Sequence, residues 1–257
     1  MAIYNIDKNW KKKIYKYDEF IIFLYIKIMT EKKNGIIRTF WCKYYIFNGN
    51  MEGEYIEYYM NGQLETICNY KNDKLEGEYK TYYENGQPEN MCNYKNDKLS
   101  GGCKSYYVNG QIKVICNYIN NKLEGEYKEY YENGQLELVC NYKNNGKEGE
   151  YKEYSENGQL ELVCNYKNNK KEGEYKTYYE NGQLENISNY KNDKIEGEYR
   201  SYHKNGQQAI ICNYKNDKVE GEYKSYDENG QIIEIFIWEP WSAFYKSQYN
   251  IWHIWYG

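Results

Sequence analysis

The stretch GEYKEYYENGQLELVCNYKNNGKE, residues 125–148, decides how this chain folds. Asn133-Gly134 lies between an aromatic run on one side and Leu136, Leu138 and Val139 on the other. Asn-Gly in that setting is the strongest short-range hairpin signal, because a two-residue type I′ turn needs positive φ at both central positions. The same unit recurs along the chain. Asn-Gly-Gln starts at Asn61, Asn85, Asn109, Asn133, Asn157, Asn181, Asn205 and Asn229, a fixed period of 24 residues without an insertion. Gly-Glu-Tyr recurs in the same phase, and only the copy at Gly101 departs, reading Gly-Gly-Cys. Repetition at fixed period takes precedence over any local reading.

Pairing outward from a two-residue turn at Asn61-Gly62 sets Tyr59 opposite Leu64, Glu57 opposite Thr66, Tyr55 opposite Cys68 and Gly53 opposite Tyr70. Side chains alternate along a strand, so all of these share one aromatic face. Glu54, Ile56, Tyr58, Glu65, Ile67 and Asn69 take the other, mixed face. A glycine opposite Tyr70 is expected to lie under the ring, which would cover a bare backbone. A second turn near Asn72-Asp73 must join each hairpin to the next. Asn48-Gly49 and Asn145-Gly146 occupy that region in other copies and disagree by one residue about its centre, which leaves the stagger between repeats open. The expected architecture is all-β: an elongated, single-layer antiparallel meander of tandem hairpin repeats.

Composition agrees with a repeat and argues against a conventional core. Mean hydropathy is low, −1.07, and tyrosine, with 36 copies, stands in for the usual aliphatic residues. The 34 basic and 38 acidic residues alternate, for a net charge of −4. No single-sign field builds up to attract nucleic acid, and charge gives no support to a membrane surface either. The apolar run from Phe20 to Met29 follows two acidic residues, contains Lys27 and is too short to span a bilayer. It is expected to be a buried edge or capping strand.

The unit Gly-x-Tyr-x-x-Tyr-Tyr-x-Asn-Gly-Gln-Leu, followed by Asn-Tyr-Lys-Asn and a further glycine, resembles the MORN repeat in its longer variant. The resemblance covers about residues 51 to 235. It implies a twisted, single-layer β-meander used for protein or lipid contacts, with an antitoxin role proposed for some bacterial relatives. Such repeats serve many roles, so the resemblance speaks to fold more than to function. Three segments follow: capping hairpins over residues 1–50, eight repeats over 51–235, and an aromatic cap over 236–257.

Catalytic chemistry has no foothold in the pattern. The two histidines, His203 and His253, belong to no ligand or nucleophile motif, and the glycines form no phosphate loop. Repeated glutamates read as a solvated face, where a glycosidase would need one special pair. No metal or cofactor is expected. Six of eight cysteines occupy one repeat column, at Cys68, Cys92, Cys116, Cys140, Cys164 and Cys212. Column members two strands apart would be ~9.6 Å from each other, beyond the ~7 Å limit for a bridge. They read as small buried residues in a reducing, cytoplasmic compartment. Cys103 replaces the column tyrosine, and the expected register pairs it with Cys116, the one cysteine pair expected within bridging distance, both as thiols.

The expected function is a non-enzymatic scaffold that binds a protein partner through the aromatic face. Its candidate residues are Tyr127, Tyr131, Tyr151, Tyr175 and Tyr179, and a second candidate patch is formed by Trp238, Trp241, Trp252 and Trp255. The alternatives are an antitoxin-like inhibitor that binds a toxin protein, and a module for membrane surfaces or nucleic acid. Tyrosines beside lysines could stack single-stranded bases, but the matched glutamates oppose that use.

Overall fold

The computed structural model describes residues 34–38 and 41–238. Those residues form twenty-two β-strands and no helix. The described residues divide into two compact units, one of those up to residue 110 with 118–121, the other of residues 111–117 with those from 122 onward. In each unit the strands pair antiparallel in chain order, as the repeat requires. In the first, Gly35–Arg38 pairs with Cys42–Phe47, which pairs with Gly53–Tyr58, and the ladder runs on through Leu64–Lys71, Lys74–Tyr82 and Pro88–Lys95 to Gly101–Tyr106. In the second, the same meander runs from Gly125–Tyr130 to Ile232–Trp238.

All eight Asn-Gly sites are turns, but their type differs from the two-residue I′ expectation. Gly134 N–H donates to Tyr131 O at 2.9 Å, and Tyr131 N–H donates to Gln135 O at 2.9 Å. Positive φ is confined to Gly134, at 85°. This is a three-residue loop, a type I turn closed by a left-handed glycine. Asn133 serves through its side chain: Oδ1 accepts from Gln135 N–H at 2.8 Å, and Nδ2 donates to Glu156 O of the following repeat at 2.8 Å. The loop shifts the pairing by one residue, so Tyr130, and not Tyr131, faces Leu136. A bulge after Glu129 then restores the expected register, with Glu129 facing Leu138, Tyr127 facing Cys140 and Gly125 facing Tyr142.

The I′ geometry belongs to the other turn. Asn72 and Asp73 both have positive φ, at 50° and 63°, as do Asn144 and Asn145, at 51° and 69°. Asn48-Gly49 therefore marks the true centre, whereas Gly146 already pairs with Lys143 in the next strand. Contacts with the preceding repeat hold this turn. Asp73 N–H donates to Met51 O at 3.1 Å, and Asp73 Oδ1 accepts from Met51 N–H at 2.7 Å. Glu52 Oε2 accepts from Asn72 N–H at 2.8 Å. Asn169, Lys147, Glu148 and Asn168 repeat the arrangement in the second unit. A charge-assisted bond to a turn amide is stronger than a neutral one, which explains why the consensus ends in glutamate.

The stagger between repeats follows. Cys140 faces Tyr151 of the next strand, and Leu138 faces Glu153, after which the register shifts between Cys140 and Tyr142. The shift is a bulge, and Gly149 there has φ of 81°. Space is not the reason for this glycine: a Cβ on Gly149 or Gly173 would have no neighbour within 4 Å, so no tyrosine ring covers it. Left-handed backbone is the reason, since an L side chain there crowds its own carbonyl. Gly173→Ala is accordingly expected to lower stability by about 1 kcal/mol in urea denaturation. Gly146→Ala, whose φ is ordinary and whose added Cβ would meet atoms no closer than 3.4 Å, is expected to change it by less than about 0.5 kcal/mol. Equal losses at both sites would contradict this account.

Candidate functional site

In the second unit the register lays out a ladder. Tyr127, Cys140, Tyr151, Cys164, Tyr175 and Ser188 face one another on successive strands. The thiols are the small residues that let neighbouring rings close over them. Cys140 and Cys164 are each 1% exposed, and Tyr151 between them is 6% exposed. A second tyrosine of each repeat meets the first at a steep angle, edge-on for Tyr127–Tyr142 and Tyr151–Tyr166 and tilted for Tyr175–Tyr190, with centroids 5.5, 5.4 and 5.1 Å apart. Such tilted pairs add ~0.5–1.5 kcal/mol beyond area burial.

Charge is sorted across this surface. Lys147 Nζ lies 4.0 Å from the Tyr151 centroid and 5.0 Å from that of Tyr166. Lys171 Nζ lies 4.6 Å from Tyr175 and 5.1 Å from Tyr190. Both are within cation–π range. The same position holds Leu75, Leu99, Leu123, Ile195 or Val219 in other repeats, and that change of residue class was the signal available in the sequence. On the Asn-Gly side of the rings stand carboxylates. The Tyr127 hydroxyl donates to Glu129 at 3.2 Å, and the Tyr151 hydroxyl donates to Glu153. Burial, then these carboxylates, raise both phenols above their ordinary range. Burial, with Glu129 and Glu153 nearby, also raises the Glu137 carboxyl.

The five tyrosines expected to form the site are not equivalent. Tyr127 and Tyr175 are half-buried beside the cysteines, and Tyr151 is buried. Tyr131 and Tyr179 are displaced from the ladder by the three-residue turn, and their hydroxyls donate to Tyr154 O at 2.8 Å and Tyr202 O at 2.7 Å in the following repeats. These two are staples between repeats. His203 fills the same role with Nε2 2.8 Å from Tyr226 O, while Ser155 is too short and bonds within its own turn, to Asn157 and Gln159. Glu89, the counterpart one repeat later of Glu65 and so expected on the mixed face, sits in the bulge and accepts from Thr81 Oγ1 at 2.9 Å. Trp238 ends the last strand, 46% exposed; Trp241, Trp252 and Trp255, like the run from Phe20 to Met29, lie outside the described residues.

The opposite face carries ion pairs repeat after repeat: Lys128–Glu126 at 2.8 Å, Lys152–Glu150 at 2.7 Å, Lys176–Glu174 at 2.6 Å and Arg200–Glu198 at 2.7 Å. Each row neutralises itself. In the first unit Cys103 is disulfide-bonded to Cys92, with Cα atoms 4.2 Å apart. This corrects the expectation that Cys103 stays a thiol and that Cys116 is the one cysteine within bridging distance of it. Once the stagger is known, the strand of Cys103 follows the strand of Cys92 in register, with Met91 facing Lys104 and Asn90 facing Ser105. Among the described residues no cluster of metal-binding side chains occurs, and no helix is long and apolar enough to cross a membrane.

The MORN repeat variant matches eight times in tandem, at residues 51–72, 75–96, 101–120, 123–144, 147–168, 171–192, 195–216 and 219–238. The chain belongs to the MORN repeat variant family. No curated protein matches it. Among solved structures, similarity is found to a TcdB2–TccC3–Cdc42 complex and a TcdB2–TccC3 complex, each at 12% identity and a TM-score of 0.18. The matches cover 87% of this MORN repeat chain but only 15% and 16% of those chains.

Proposed function

We propose that this MORN repeat protein is a non-enzymatic scaffold that binds a protein partner over the tyrosine ladder of its second unit. One observation carries the reading. Tyr142, Tyr166, Tyr175 and Tyr190 remain only partly buried, because among the described residues no second layer packs over this face. Rigid, half-exposed tyrosines with charge at their margin suit a protein surface, where aromatic anchors contribute most of the affinity. The self-neutralising rows on the other face give little purchase to a polyanion.

Lys147→Leu with Lys171→Leu tests the reading, since sister repeats already carry leucine there. The double variant is expected to keep its thermal midpoint while its affinity for a protein captured from the native host falls about tenfold. Unchanged capture would end the assignment to this surface. Retention of the wild type on heparin or by anionic vesicles, with no protein captured, would replace it with a nucleic-acid or lipid function.

A further inference from the structure

Among the departures from consensus in the repeat around residues 99–121, three each remove a contact its sisters make. Ser100 stands where Glu76 accepts from Asn96 N–H at 2.9 Å, and it has no carboxylate to reach the turn. Gly102 stands where Glu78 pairs with Lys80 at 2.7 Å. Cys103 stands where the Tyr79 ring meets Tyr94 at 5.4 Å. In exchange this repeat gains the bond to Cys92, between adjacent strands of neighbouring repeats. A turn amide without its charged acceptor, a lost ion pair and a missing ring together make this the place where the ladder should open first.

We propose that Cys92 and Cys103 form a redox-responsive clasp that closes this weak repeat when oxidised and lets it open locally when reduced. The chemistry selects these two sulfurs. Cys92 and Cys103 are partly exposed, whereas Cys68, Cys140, Cys164 and Cys212 are at most 2% exposed, and burial pushes the Cys68 and Cys164 thiols up to about 12 and about 11. Buried thiols of that kind yield little thiolate and react slowly.

Closure consumes a low-molecular-weight disulfide such as oxidised glutathione. The thiolate of one cysteine attacks that disulfide, its S–S bond breaks, and one glutathione leaves and takes up a proton. The thiolate of the other cysteine then displaces the second glutathione, so two protein thiols are oxidised and one glutathione disulfide is reduced to two thiols. A dithiol reductant reverses both steps.

The test uses the intact chain, oxidised with oxidised glutathione or reduced with dithiothreitol. Peptide mapping should recover a Cys92–Cys103 link as the first to form. Reduction should raise amide hydrogen exchange across residues 88–106 about tenfold or more, with little change across residues 146–191. Cys103→Tyr, which restores the consensus ring, should remain protected in both conditions. Cys103→Ser should exchange fast in both, which keeps the test decisive if the tyrosine variant packs poorly. Another cysteine pair linking first, or identical exchange in the oxidised and reduced wild type, would overturn the proposal.

Discussion

Replacing Tyr151 by alanine is expected to destabilise the protein by about 3–5 kcal/mol, the range for deleting a buried aromatic side chain that leaves a cavity. The ring is 6% exposed and packs between the Cys140 and Cys164 thiols. It meets Tyr166 edge-on at 5.4 Å and lies under Lys147 Nζ at 4.0 Å. Truncation therefore removes an aromatic pair, a cation–π contact and the cover over two thiols at once, and it strands the Glu153 carboxylate that accepts the phenol's hydrogen bond. Tyr127→Ala should cost less, about 2 kcal/mol, because Tyr127 is only half-buried. Urea denaturation at neutral pH gives both values. A loss below about 1 kcal/mol for Tyr151→Ala would mean that the ladder is not the element that holds the repeats together.

Most of this ladder is legible in the sequence. Alternation of large and small residues along each strand places Tyr127, Cys140 and Tyr142 on one face, and the fixed period carries that face from repeat to repeat. The turns were harder, because asparagine can stabilise a turn in two ways. It can adopt left-handed backbone, or it can keep ordinary φ and use its side chain as acceptor and donor. Asn133 does the second and Asn144 the first, and what separates them is how each turn reaches the neighbouring repeat: Asn133 does so with its side chain, whereas the backbone amides of Asn144 and Asn145 find acceptors in Glu124 and Leu123. Asn145 N–H donates to Leu123 O at 3.1 Å, and Asn145 Oδ1 accepts from Leu123 N–H at 2.6 Å.

No local pattern reveals such a contact. The same gap hid the neighbour of Cys103, since the strand that precedes it can be named only when the stagger is known. Lys147 and Lys171 were readable in principle, as charges in an otherwise apolar column, but their meaning depended on two rings brought beneath each of them by that stagger.

Alkaline pH should unfold the protein through the same ladder. Burial pushes the Cys164 thiol from its ordinary 9.0 up to about 11, against the pull of Lys171 and Lys147. It pushes Cys68 from 9.0 up to about 12 and the Tyr166 phenol from 10.0 up to about 12. In each case the folded chain keeps its proton at a pH where the unfolded chain has released it. The stability these neutral groups lend is therefore fully present below about pH 9, and it is lost as pH climbs from the unfolded value toward the folded one. Each such group steepens the decline by about 1.4 kcal/mol per pH unit within its window.

Cys164 is 1% exposed, so solvent screens it little and its own share is on the order of 2–3 kcal/mol by pH 11. Unfolding free energy from urea titrations should be flat between pH 6 and about 8.5, then fall steeply. The equivalent column position in another repeat is Ser188, 3% exposed, which shows that a hydroxyl fits. Cys164→Ser should thus keep the fold, and between pH 9 and 11 its curve should descend less steeply than that of the wild type. A wild-type curve that stays flat to pH 11, or an unaltered slope in Cys164→Ser, would show that water reaches the thiol column and that the rings do not seal it.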